Sequence, residues 1–166
     1  VRGSGLSELL VAVADPLAGS PTPKSLSGTL QSLGEVVGFE WSPDSVRVAY
    51  RADQSVDNRF DLLTVLANGS RPPLLISRLT NDSSEVRDFA WAPDSSRIAY
   101  IADQDVVGVF ELYTDNTVGT SNRRVSAELS AGENVNAFLW APDGLLIAYQ
   151  ANQDNINIDE LYTTVP

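Results

Sequence analysis

Three segments of this chain align without a gap: FEWSPDSVRVAYRADQ from Phe39, FAWAPDSSRIAYIADQ from Phe89 and FLWAPDGLLIAYQANQ from Phe138. Their tryptophans, Trp41, Trp91 and Trp140, stand 50 and then 49 residues apart. A valine lies five residues before each (Val36, Val86, Val135), and a tyrosine nine residues after (Tyr50, Tyr100, Tyr149). Twenty residues after each comes an acidic residue followed by leucine: Asp61-Leu62, Glu111-Leu112 and Glu160-Leu161. A period near fifty built from short apolar stretches predicts stacked β units, as propeller blades or a β array, because a single unit cannot bury its own face.

Each unit reads as four short antiparallel strands. Val36 to Trp41 is the first, with Phe39 and Trp41 two apart and therefore on one face. Ser/Ala-Pro-Asp-Ser/Gly then makes a tight turn: Pro43, Pro93 and Pro142 preset φ, and Gly144 sits where a type I turn favours glycine. The second strand is Arg47 to Arg51 and its equivalents, with the small Ala49, Ala99 and Ala148 opposite a large Val/Ile and Tyr face. The third runs through Phe60 to Leu63. Asn68-Gly69 marks a hairpin, and the fourth strand is expected over Leu74 to Leu79. Pro21, Pro23, Pro72 and Pro73 all fall where a fourth strand starts, which suits an outer edge and not a central strand. No segment carries a capped 3.6-residue apolar period, so almost no helix is expected.

Composition narrows the function. The 166 residues contain no Cys and no His. Without Cys there is no disulfide framework, thiolate zinc site or Cys nucleophile. Without His there is no Ser-His-Asp triad and no histidine general base, so a self-contained hydrolase is not expected. The apolar residues come in short runs, with no transmembrane span of about twenty. A formal net charge of −11 opposes binding to nucleic acid or to an anionic membrane. The opening Val1-Arg2-Gly3-Ser4-Gly5 shows no signal-peptide pattern, as a processed or trimmed N-terminus would.

The repeated aromatic residues read as packing between blades rather than a ligand-stacking set, because every unit places Trp41, Trp91 and Trp140, with Tyr50, Tyr100 and Tyr149, on the same alternation. Asp44, Asp94 and Asp143 read as turn residues whose carboxylates accept backbone N–H groups. The loops after the second strands carry Asp53, Asp57, Asp103, Asp105, Asp154 and Asp159. Oxygen-only loops of this kind suit Ca²⁺, and Asp103, Asp105 and Glu133 are the candidate ligands, against the alternative of solvated loops. Blade topology puts these loops on one ring face with Asp82, Glu85 and Glu133. Lys24, Arg71, Arg123 and Arg124 are expected on the opposite face. An acidic face favours a basic peptide, a cationic partner or Ca²⁺.

The stretches WSPDSVRVAY, WAPDSSRIAY and WAPDGLLIAY, each followed by ADQ or ANQ and an acidic-Leu pair, resemble the TolB-like β-propeller repeat, a relative of the WD-type repeat. The resemblance covers about residues 36 to 166, with a weaker half-repeat before it. It implies a bacterial, periplasmic or extracellular protein-binding module without catalytic activity or a required cofactor. The same repeats form the substrate-gating propeller of prolyl-oligopeptidase-type hydrolases, but no Gly-x-Ser-x-Gly elbow occurs here. Ser45 and Ser95 stand where the family often has Gly, a departure that type I geometry permits.

Residues 1–34 then read as a half blade, 35–84 and 85–133 as whole blades, and 134–166 as a blade lacking its last strand, all in one propeller domain. Ser7 to Ala14 aligns with a third strand, and Lys24 to Leu26 with a fourth. Three blade equivalents make half of a six-bladed ring, so either the chain is a fragment of a longer propeller or two copies related by a two-fold axis close one ring.

Overall fold

A computed structural model describes residues 7–12 and 22–166. Among these residues there is no helix, and the strands pair antiparallel in four separate sheets. The N-terminal pair is β1 (Leu10–Val11) with β2 (Lys24–Ser25). The first blade contains β3 (Val36–Trp41), β4 (Arg47–Ala52), β5 (Asp61–Leu66) and β6 (Leu74–Leu75), hydrogen-bonded in that order. The middle blade repeats it with β7 (Val86–Trp91), β8 (Arg97–Ala102), β9 (Glu111–Asn116) and β10 (Arg123–Arg124). The last blade has β11 (Val135–Trp140), β12 (Ile147–Ala151) and β13 (Glu160–Thr164).

The three inner strands, β3, β7 and β11, begin and end where the repeat places them. The fourth strands are shorter than expected. The ladder stops at Leu75 because the next two amides, of Ile76 and Ser77, both turn onto the single carbonyl of Leu62, while Ser77 Oγ accepts the Leu62 N–H. The N-terminal third strand is likewise two residues rather than Ser7 to Ala14, and Ser7 makes only a lone parallel bridge to Glu35. Val13, Ala14 and Pro21, like Val1 to Gly5, lie outside the described residues.

Every inner strand has a register shift at the same place, between Val36 and Gly38, Val86 and Asp88, and Val135 and Ala137. A bulge there raises local twist and re-aims the side chains that follow.

The core consists of three layers between neighbouring sheets, not one centre. Leu9 and Leu26 pack on Val48, Tyr50 and Val65. Ala49, Leu62 and Ile76 of the first blade receive Phe89, Trp91, Ile98 and Tyr100 of the middle blade. Ala99, Ile101 and Leu112 receive Phe138, Ile147 and Tyr149. Each blade therefore offers a bulky Trp/Phe/Tyr front to the small-residue back of the blade before it. The alanines of the second strands make that close approach possible.

The two ends of the stack break the pattern. Trp91 is 7% exposed, but Trp41 is 49% exposed, which corrects its reading as an inter-blade core residue. The N-terminal pair covers only the outer part of the first blade's front, and among the described residues no inner strand lies against Phe39 and Trp41. On the last blade Leu161 is 77% exposed, whereas its equivalents Leu62 and Leu112 are fully buried under the next blade.

Candidate functional site

The turn aspartates act on their own turns. Asp94 Oδ1 accepts the Ser96 N–H and hydroxyl, Asp44 Oδ1 accepts the Ser42 hydroxyl and Val46 N–H, and Asp143 Oδ1 accepts the Leu145 N–H. Hydrogen bonds to the charged form hold Asp44 and Asp94 below the ordinary carboxylate value, led by the Ser42 hydroxyl for Asp44 and the Ser96 amide for Asp94. The residue after each aspartate is left-handed: φ is 61° at Ser45, 63° at Ser95 and 73° at Gly144. The serines are thus strained, not neutral replacements for glycine. Ser95 has a compensation, because its Oγ accepts the Asp44 N–H of the neighbouring blade at 3.0 Å.

The loop acids divide into buried and exposed groups. Asp53 and Asp103 are buried clamps: Oδ1 accepts the amide of Glu35 or Glu85 in the preceding connection, and Oδ2 accepts Asn58 or Gly108 within the loop. In the last blade Asn152 takes the place of that aspartate and accepts the Asn134 amide at 2.6 Å. These bonds join the second-to-third loops to the fourth-to-first connections at one end of the blades. One residue on, a glutamine accepts the repeat tyrosine's hydroxyl: Tyr50 to Gln54, Tyr100 to Gln104 and Tyr149 to Gln153.

The three calcium candidates are not brought together. Both oxygens of Asp103 are engaged by backbone amides, Asp105 faces Tyr113 and Arg124, and Glu133 accepts the Ser130 N–H. Among the described residues no group of three acidic, His or Cys side chains is positioned to hold a metal ion.

Arg124 does not lie on the opposite face with Lys24 and Arg123. Lys24 Nζ donates to the Asn68 and Gly69 carbonyls of a hairpin, and Arg123 donates to Val165 O. Arg124 turns the other way, because buried Glu111 draws it in: Nη1 lies 3.0 Å from Glu111 and 3.8 Å from Asp105, and Nη2 lies 3.3 Å from Glu128. Tyr113 completes the set, its hydroxyl 2.7 Å from Glu111 and 3.1 Å from Asp105. Burial would lower the Arg124 pKa, but the carboxylates, Glu111 foremost, reverse this and raise it. The sequence reading missed this receptor.

The last blade repeats the receptor without its cation. Tyr162 lies 3.0 Å from both Asp154 and Glu160, at the places of Asp105 and Glu111. Tyr149 and Tyr162 stack with centroids 5.4 Å apart, as Tyr100 and Tyr113 do at 5.6 Å. Among the described residues no cation reaches this site, and β13 pairs with β12 alone.

No family model matches the chain, and no curated protein matches it. Solved structures do. A protein assigned as TolB from Agrobacterium tumefaciens aligns with a TM-score of 0.57 at 18% identity, over 88% of this chain and 48% of that one. Dipeptidyl peptidase 4 from Porphyromonas gingivalis aligns with a TM-score of 0.66 at 18% identity, over 86% and 20%. An oligogalacturonate lyase, solved in complex with manganese, gives 0.62 at 15% identity, over 87% and 42%. The chain spans less than half the length of each. Identities this low carry the fold alone: the chain is an all-β array of propeller-type blades, similar to those of TolB-like and other propeller proteins.

Proposed function

We propose that this chain is a non-enzymatic, TolB-like propeller segment that serves as a scaffold for a protein or peptide partner. The observation that carries this reading is the loop end of the blades, where Asp57, Asp82, Asp105 and Asp154 are exposed on connections that the buried Asp53, Asp103 and Asn152 tie together. An acidic face of this kind attracts a basic peptide. The conspicuous acids support the same reading, since the turn and clamp aspartates serve structure and leave no reactive pair. The resemblance supports a periplasmic or extracellular setting. Selection from a displayed peptide library tests the scaffold: binders rich in Lys and Arg are expected, whose affinity falls at least tenfold with Asp57→Asn or Asp154→Asn. A selection that yields none, or binders indifferent to both changes, overturns it.

Two other readings have specific support. The peptidases among the similar folds favour the substrate-gating propeller of a larger hydrolase, which a hydrolase domain on the same polypeptide would establish. Self-assembly is favoured by matching loose ends. Trp91 and Trp140 donate to the carbonyls of Glu40 and Ala90, so the next acceptor in the series is the Leu139 carbonyl, while the Trp41 indole has no partner among the described residues. A solution mass near twice 17.9 kDa, halved by Trp41→Ala, would support a two-copy ring. A monomeric mass would rule it out.

A further inference from the structure

We propose that the cleft between the first and middle blades binds a small amphiphilic carboxylate, its charge held by Arg47 and Arg71 and its apolar tail by Leu66, Leu74 and Val118. The cleft has a volume of about 280 Å³, and Pro72 completes its wall. Both sides belong to four-stranded blades. It lies away from the aspartate loops, because β5 starts beside them at Asp61 and ends in the cleft at Leu66. This site is therefore separate from the acidic face of the scaffold reading and goes beyond it.

Repetition explains why a cleft exists here. Ser27, Ser77 and Ser126 accept the amides of Leu9, Leu62 and Leu112, and so mark one position in three sheets. Three residues earlier stand Lys24, Leu74 and Arg123. Lys24 Nζ reaches the Asn68 and Gly69 carbonyls of the blade that follows, and Arg123 Nη2 reaches the Val165 carbonyl. Leu74 has no donor, so this junction lacks the bridging cation and keeps an apolar notch. Its far wall is fixed by other bonds. Thr64 Oγ1 donates to Thr117 O at 2.9 Å, and Arg78 Nη2 donates to Gly119 O at 3.0 Å. Gly119, at φ 74°, packs so closely that a Cβ there would collide with the Leu75 carbonyl oxygen. A cleft formed in advance spares a ligand much of the ordering cost.

The cations left unpaired identify the ligand's charge. Arg59, Arg87 and Arg124 pair with carboxylates, while Lys24, Arg51, Arg78 and Arg123 donate to backbone carbonyls. Among the described residues Arg47, Arg71 and Arg97 do neither, and two of these three line the cleft. Asp44, the acid closest to Arg47 in sequence, is turned onto the Ser42 hydroxyl and the Val46 amide. Two guanidinium groups beside apolar walls select an anion with an apolar tail, and their forked donors suit a carboxylate.

The probe is hydrocinnamate, titrated against the whole chain by proton–nitrogen correlation NMR. Saturable shifts of the Arg71, Val118 and Gly119 amides are expected, with a Kd of about 1 mM or below. Hydrocinnamamide, which keeps the tail and removes the charge, should bind about tenfold more weakly or worse. Acetate, the charge without the tail, should also bind more weakly. Arg47→Gln and Arg71→Gln should each weaken hydrocinnamate about threefold or more. Leu74→Lys, which supplies the cation found at Lys24, should abolish binding. Arg97→Gln removes an unpaired cation outside the cleft and should change nothing. Equal affinity for the amide, an equal loss with Arg97→Gln, or no saturation up to about 10 mM overturns the site. The scaffold reading would then still stand or fall by Asp57→Asn and Asp154→Asn in the library selection.

Discussion

The indole N–H of Trp91 donates to the carbonyl oxygen of Glu40 across 3.3 Å, joining two blades through the inner strands. The bond lies at the edge of a buried aromatic contact, so packing and polarity can be separated. Trp91→Ala should cost about 3–5 kcal/mol in urea unfolding, the range for deleting a buried aromatic. Trp91→Phe keeps much of the contact and should cost less. Trp41→Ala should cost under about 1 kcal/mol, because that ring is half in solvent.

The left-handed serines should respond differently to glycine. Ser45→Gly relieves the Cβ strain, less glycine's own entropy cost, and should stabilise by about 0.5–1 kcal/mol. Ser95→Gly also loses the acceptor for the Asp44 N–H, so its net effect should lie near zero. Melting temperatures of the two variants, measured side by side, provide the check. A larger gain at Ser95 would contradict the assignment.

Asp94 sets a pH dependence of known sign. Its folded pKa is lowered below the ordinary 3.8, so its stabilisation is present above that value and is lost as pH falls through the folded pKa. Asp94→Ala should destabilise by about 0.5–1 kcal/mol at neutral pH, a modest figure because the group is exposed. The gap between variant and parent should close below the ordinary carboxylate range. A gap that persists in acid would place the effect elsewhere.

The repeat tyrosines carry unequal polar loads. Tyr100 donates to Gln104 and also accepts from Asn122, while Tyr149 bonds Gln153 alone. Tyr100→Phe leaves the part-buried Asn122 amide short of a partner and should cost about 1–3 kcal/mol. Tyr149→Phe should cost about 0.5–1.5 kcal/mol. Chemical denaturation of both variants would test the order.

The features legible in the sequence were those that repeat. The limits of β3, β7 and β11 followed from the Val and Trp spacing, because alternation and a Pro-Asp turn bound each strand locally. The brevity of β6 was not legible, since it depends on Ile76 and Ser77 both choosing the Leu62 carbonyl across the pair. Asp103 looked like a cation ligand because one-letter spacing does not show that two backbone amides already occupy it. The Arg124 receptor had a readable trace: Asp105 and Tyr113 change together from Ser55 and Leu63, and recur together as Asp154 and Tyr162. That correlation acquires meaning only once strand register places Arg124 opposite Tyr113.

The uneven burial of the three tryptophans gives the chain an internal optical readout. With Trp91 buried, Trp140 intermediate and Trp41 half in water, red-edge emission and acrylamide quenching should come chiefly from Trp41. Anything that covers the front of the first blade, whether a further blade or a second molecule, must shift that emission to the blue. Binding at the last blade would leave it unchanged. Steady-state fluorescence of the unlabelled protein can therefore report which end of the stack is occupied.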